Sequence, residues 1–123
     1  MFLFTKYYLN PDIQCKLFIK NLIKNNENTI LDIQSNIRDN QNVETQVIDS
    51  INFNLTQIKK NPCSYTFNKY SINDFFSFYN TVFIHHKEQY LESNKSRNRT
   101  YNILAFIDRF NYHLKDITTK LKK

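Results

Sequence analysis

Residues 71–90, SINDFFSFYNTVFIHHKEQY, decide the fold of this chain. Large apolar side chains recur there every three or four positions over about five turns, at Phe75, Phe76, Tyr79, Val82, Phe83, His86 and Tyr90. This spacing is typical of an amphipathic helix that buries one face. Ser71 followed by Asp74 has the form of a capping box, with Asp in the place of Glu or Gln. The stretch therefore predicts a long helix that starts near Ser71 and ends near Ser93.

A second amphipathic pattern follows, and it predicts a last helix that Thr100 caps. Its apolar face consists of Ile103, Ile107, Phe110, Leu114, Ile117 and Leu121. Two such helices joined by a short polar loop should pack antiparallel, because each must bury its apolar face. We expect the following side chains to be largely buried: Phe75, Phe76, Tyr79, Phe83, Leu104, Ile107, Phe110 and Leu114.

The N-terminal half predicts at least one further helix. Asn10-Pro11-Asp12 is a strong helix start, because Asn caps, Pro fits the first helical position and Asp favours the positive end of the helix. Cys15, Phe18, Ile19 and Leu22 then recur at helical spacing. We expect this helix to end at Asn25-Asn26.

Residues 29–60 favour two helices separated by a polar turn near residues 40–44, with one long helix as the alternative. Residues 51–55 also alternate between apolar and polar, and Tyr65-Thr66-Phe67 follows, which leaves a short hairpin at 51–67 open.

The chain has 123 residues, enough for one domain. We predict an all-α fold, a single helical domain over residues 1–123 with four to five helices. The alternative is an α+β fold with the 51–67 hairpin.

The composition excludes several classes of enzyme. The chain contains no glycine. A P-loop, a Rossmann fingerprint and a nucleophile elbow each need glycine where the backbone approaches the ligand or turns sharply. The 18 asparagines reflect the codon usage of an AT-rich gene more simply than a function. No cofactor is predicted.

Histidine and cysteine spacing predicts neither a metal site nor a catalytic site. His85, His86 and His113 are the three histidines, and no HxxxH or CxxC pair accompanies them. Arg109 and His113 resemble the Arg and His pair of helical RNases of the HEPN class, but their spacing is shorter than in that motif. We therefore predict no catalytic residue and no enzymatic activity.

Cys15 and Cys63 allow one disulfide and require none. The first residues lack the pattern of a secretory signal, and no stretch is apolar for long enough to span a membrane. We therefore expect two free thiols in the cytoplasm, or in the interior of a host cell.

The excess charge lies in the last 31 residues. The chain carries a formal net charge of +6, and residues 93–123 contain eight basic and two acidic side chains, which account for all of it. We predict that the partner-binding residues are Lys95, Arg97, Arg99, Arg109, Lys115, Lys120, Lys122 and Lys123. A basic segment of this kind suits a protein with an acidic surface, and nucleic acid is also possible. Oligomeric state is not predicted.

Three functions remain open. The first is a non-enzymatic binding protein that occupies a surface of another protein, as an inhibitor, an immunity protein or a phage or viral antagonist. The second is a nucleic-acid-binding protein that uses the basic C-terminal segment. The third is a structural subunit of a larger assembly, with Phe2, Phe4, Tyr7 and Tyr8 as docking residues.

Overall fold

The chain folds into a helical bundle, as the sequence predicts. The computed structural model describes residues 11–63, 66–67, 70–92 and 96–121. Within these ranges it contains four helices, α1 (Pro11–Arg38), α2 (Glu44–Lys60), α3 (Ile72–Glu92) and α4 (Arg97–Leu121). Two-residue strands β1 (Thr66–Phe67) and β2 (Tyr70–Ser71) pair antiparallel between α2 and α3. The alternative hairpin at 51–67 is wrong, because residues 51–55 lie inside α2.

The four helices alternate in direction. Asn36 and Gln46 meet where α1 ends and α2 begins, and Cys15 and Cys63 meet where α1 begins and α2 has ended. The segment after α2 and the start of α3 line a common cavity, as do the start of α2 and Tyr90 near the end of α3. Helix α4 then returns antiparallel to both α3 and α1. The result is an up-down-up-down bundle, the arrangement that short connections favour.

The bundle has two different ends. The disulfide end contains the start of α1, the end of α2, the start of α3 and the end of α4. The turn end contains the α1–α2 turn at residues 39–43 and the start of α4. Asn40 adopts a φ of 59° in that turn, a left-handed conformation that asparagine tolerates better than most residues.

The apolar faces predicted for the last two helices form the core. Phe76, Tyr79 and Phe83 of α3 are buried, and Phe75 is half-buried and packs against this core. The buried positions of α4 include Ile103, Leu104, Ile107, Phe110, Leu114 and Ile117. The expected burial is therefore confirmed for every side chain except Phe75, which is covered only in part. The side chain of Leu121 lies outside the described residues.

The end predicted for the first helix is wrong. Helix α1 continues past Asn25 and Asn26 to Arg38. Asn26 is almost completely buried, and its amide nitrogen donates to Asn54 Oδ1 of α2 (2.9 Å) and to Asn111 Oδ1 of α4 (3.0 Å). The Asn26 side chain thus forms its hydrogen bonds with residues of α2 and α4. It does not replace a backbone hydrogen bond of its own helix, so the helix continues.

Asn26, Asn54 and Asn111 form a closed polar network, which we call the asparagine triad. Asn54 Nδ2 donates to Asn26 Oδ1 (3.0 Å) and to the Ser50 carbonyl (2.8 Å). Asn111 Nδ2 donates to the Ile23 carbonyl (3.1 Å). All three amide oxygens and all three amide nitrogens have a partner, so the triad avoids the cost of unpaired buried polar groups.

Two helix starts depend on serine caps. Ser71 Oγ accepts a hydrogen bond from the Asp74 backbone nitrogen (3.0 Å), as the capping pattern predicts. Helix α4 begins earlier than predicted, because Ser96 Oγ, not Thr100, accepts from the Arg99 backbone nitrogen (3.2 Å). Thr100 is buried instead, with its hydroxyl 3.3 Å from that of Tyr90.

Cys15 and Cys63 form a disulfide, so the prediction of free thiols is wrong. Antiparallel packing of α1 and α2 brings the two residues together although 48 positions separate them in the chain. Both are buried. Closing a loop of this length stabilises the fold by about 4 kcal/mol in the chain-entropy model.

None of the four described helices is long and apolar enough to cross a membrane.

Candidate functional site

Large aromatic rings separate α3 from α4. The ring centroid of Phe110 lies 6.0 Å from that of Phe75 and 4.6 Å from that of Tyr79. Further along, Phe106 lies 4.7 Å from Phe83 and 4.4 Å from His86. Side chains of this size hold the two backbones apart, and the surface between the helices has a cavity toward each of its ends. We call this surface the α3/α4 groove.

The groove opens into a cleft at the disulfide end of the bundle. The cleft has a volume of about 430 Å³. It is lined by Asp74, Phe75, Phe78, His113, Asp116, Ile117 and Lys120, and we call it the aromatic cleft. Phe78 remains 63 % exposed at its edge, and the neighbouring Tyr112 is 69 % exposed. Concave, largely apolar sites with a few polar groups are the usual form of a binding site.

The aromatic cleft carries three charged side chains. Lys120 Nζ lies 3.2 Å from Asp116 Oδ2, an ion pair one helical turn apart. The Asp74 backbone nitrogen is bonded to Ser71, but its carboxylate has no hydrogen bond or ion pair among the described residues. The cleft therefore offers one carboxylate that is open to a ligand.

The ring of His113 stands between three aromatic neighbours. Its centroid lies 6.4 Å from Phe75, 6.2 Å from Tyr79 and 5.6 Å from Tyr112. No group of three His, Cys, Asp or Glu side chains that could hold a metal occurs in the described ranges. In this setting the imidazole extends the aromatic wall of the cleft.

The structure divides the predicted basic residues between two sides of α4. Arg97 and Lys115 point toward α1. Arg97 Nη2 donates to Asn40 Oδ1 (3.1 Å), at the edge of a cavity of about 390 Å³ beside the α1–α2 turn. Lys115 Nζ forms an ion pair with Glu27 Oε2 (3.0 Å). These two side chains are thus bound to the neighbouring helix and the turn that follows it.

Arg99, Arg109 and Lys120 lie on the side of α4 that faces α3. Arg99 lines a small cavity of about 60 Å³ with His86 and Gln89 of α3. Arg109 is three residues after Phe106 and four before His113, whose rings contact α3, and Lys120 lines the aromatic cleft. From Arg99 to Lys120 the helix rises about 31 Å. Lys95, Lys122 and Lys123 lie outside the described residues.

Burial shifts the pKa of two further side chains beside the groove. Burial raises the pKa of Tyr79, and the positive charge of Arg109 opposes this shift in part. Burial lowers the pKa of His86, and the adjacent His85 lowers it further. Both shifts favour the neutral form of the side chain.

The sequence did not identify the aromatic cleft. The apolar stripe predicted from the sequence does not include Phe78, and the capping pattern assigns Asp74 only to the start of the helix. A large aromatic residue beside a complete apolar stripe was the one available signal, since such a residue is not needed for the core.

No protein-family model, curated protein or solved structure matches the chain.

Proposed function

We propose that the chain is a non-enzymatic protein-binding module, and that its binding surface is the α3/α4 groove with the aromatic cleft at one end. The partner places a side chain in the cleft and acidic side chains against Arg109 and Arg99. A module of this kind acts by occupying a surface of its partner, as an inhibitor or antagonist does.

The observation that carries this proposal is the position of the cations relative to the cleft. Arg99 lines the cavity at the other end of the groove, and Arg109 is one helical turn from Phe106 and His113, whose rings contact α3. Arg97 and Lys115 are instead bound to the turn after α1 and to α1 itself. Exposed aromatic and arginine side chains around a concave site are typical of the residues that dominate binding energy in protein interfaces. An acidic partner surface complements the arginines.

Nucleic acid binding is the second candidate, but the arrangement of charge favours it less. A protein that follows a phosphate backbone needs several lysines or arginines on one surface. In the described part of α4 these residues face two sides, and two of the lysines are paired with carboxylates. The structural-subunit hypothesis depends on residues 2–8, which the structure does not describe.

The compartment is part of the proposal. A cytoplasmic location was predicted together with free thiols, and the disulfide between Cys15 and Cys63 now favours an oxidising compartment. Labelling of thiols in protein taken directly from its source cells distinguishes the two locations. Two free thiols would support the cytoplasm, and two protected cysteines an oxidising compartment.

A pair of matched double variants tests the proposed surface. Arg99→Ala with Arg109→Ala removes two charges from the groove, and Arg97→Ala with Lys115→Ala removes two charges from the other side of the same helix. Partners captured from source-cell extract are compared for the parent and both variants, with and without nuclease. We expect a protein partner that is lost with the groove variant, retained with the control variant and indifferent to nuclease.

Two other results would contradict the proposal. Equal loss in both variants, with a steep dependence on salt and on nuclease, would indicate nucleic acid. Full retention of every protein partner by the groove variant would show that the arginines of the groove do not contribute to binding.

A further inference from the structure

The aromatic cleft contains an exposed carboxylate beside exposed rings, and this combination selects the chemistry of its occupant. Asp74 has no polar partner for its carboxylate among the described residues, and Phe78 is largely exposed beside it. Lys120, the cation of the cleft, is held 3.2 Å from Asp116.

We propose that the aromatic cleft binds a basic side chain of the partner, an arginine or a lysine, whose apolar stem packs on Phe78 and whose charged group reaches the Asp74 carboxylate. This inference rests on the proposed function and names the chemistry that the cleft recognises. Aromatic faces attract cations, and the long stems of arginine and lysine cover apolar surface while their charged ends stay near water.

Other occupants fit less well. A purely apolar side chain would exclude water from the Asp74 carboxylate without replacing the lost hydrogen bonds, which costs free energy. An acidic side chain would be repelled by Asp74, and the cation of the cleft, Lys120, is already paired with Asp116. A basic side chain satisfies both the apolar wall and the carboxylate.

The positions of the charged residues then determine in which direction the partner segment lies along the α3/α4 groove. Asp116 lies seven residues from Arg109 along α4, a rise of about 10 Å, and Arg99 lies about 15 Å beyond Arg109. The partner segment therefore presents a basic residue at the cleft and acidic residues at about 10 Å and 25 Å from it. A helix stabilised by its own dipole has acidic residues near its start and basic residues near its end. Such a helix would lie parallel to α4.

Small probes test the chemistry of the cleft without knowledge of the partner. n-Butylguanidinium reproduces the end of an arginine side chain, and n-butylurea has nearly the same shape without the charge. Each probe is titrated into the full chain and followed by amide chemical-shift changes in two-dimensional NMR. We expect saturable changes from butylguanidinium at residues 74–78 and 113–120, with an affinity about threefold higher than that of butylurea at low salt.

Two variants with matched controls complete the test. Asp74→Asn should abolish the preference for the charged probe, whereas Asp108→Asn, an exposed carboxylate elsewhere on α4, should leave it intact. Phe78→Ala should weaken binding of both probes, whereas Leu31→Ala, a side chain of equal exposure on α1, should not. All four positions are exposed, so the fold is expected to be retained.

Equal affinity for the two probes, shift changes away from the cleft, or a charge preference that survives Asp74→Asn would each overturn the inference. These outcomes do not depend on the arginine variants. The groove could still bind its partner through Arg99 and Arg109 if the cleft showed no preference for a cation, and the reverse also holds.

Discussion

Helix α4 contacts its two neighbours in different ways. Against α1 it places Asn111 of the asparagine triad, where short amide side chains bond directly and the α1 and α4 backbones come close together. Against α3 it places Phe106 and Phe110, whose rings hold the backbones further apart. The first contact is closed and fully hydrogen-bonded. The second leaves a groove with an open cleft.

In the proposed function, one helix is both structural support and binding surface. Directional hydrogen bonds accept only one register, because a shifted helix would leave buried amides unpaired. Ring contacts depend on area and accept several orientations. The polar side of α4 thus fixes its position in the bundle, and the aromatic side borders the surface that we propose as the binding site.

Removing a ring from the α3/α4 contact should produce the largest effect. Phe110→Ala deletes a fully buried side chain that touches Phe75, Tyr79 and Phe83, and we expect a loss of about 3–5 kcal/mol in the free energy of unfolding. Tyr112→Ala, two positions away and exposed, should change it by less than about 0.5 kcal/mol. Chemical denaturation measures both. Equal effects would show that the rings do not carry the contact.

Breaking the asparagine triad should have the next largest effect. Asn26→Ala removes the donor to Asn54 and Asn111 and leaves their amide oxygens buried, so we expect a loss of about 2–4 kcal/mol. Asn25→Ala replaces the adjacent, exposed asparagine of the same helix and should change the free energy of unfolding by less than about 0.5 kcal/mol. A similar stability of the two variants would contradict a structural role for the triad.

The smallest effect concerns His86, which packs on Phe106 at the edge of the groove. Because its pKa is lowered on folding, the unfolded chain binds a proton at a higher pH than the folded chain does. Burial of the neutral imidazole therefore contributes fully to the free energy of unfolding above pH 6.5, the ordinary pKa of histidine. This contribution is lost as the pH falls from 6.5 through the lowered pKa of His86 in the folded chain. His86→Gln should remove this part of the decline when unfolding is followed from pH 7 downward. An unchanged pH profile in the variant would count against it.

The sequence predicted α3 well because its signals are local. The aromatic stripe and the Ser71 cap lie within about five turns of one helix, and both depend on residues close in the chain. The end of α1 could not be predicted in the same way. Asn25 and Asn26 are equally poor helix formers, and only the neighbours of Asn26 in α2 and α4 explain why the helix continues through it.

The basic partner-binding residues stay a prediction. The charge count identifies the basic residues of α4 as a group. It does not distinguish Arg99 and Arg109, which lie beside the groove, from the other basic residues of the helix. Arg97 and Lys115 are bound to the turn after α1 and to α1 itself. The aromatic cleft was missed because a cleft is a property of two helices and their spacing. Phe78 and Asp74 have no special pattern until α4 is placed beside them.

The sequence by itself determined the helical class, the face that each of the last two helices buries and their antiparallel packing, since hydrophobic spacing and short connections act locally. Only the tertiary structure decided the pairing of Cys15 with Cys63, the joining of three asparagines and the opening of the aromatic cleft. Each of these brings together residues from distant parts of the chain. Such encounters depend on which helices become neighbours and how closely their side chains allow them to approach, and no single segment of sequence contains that information.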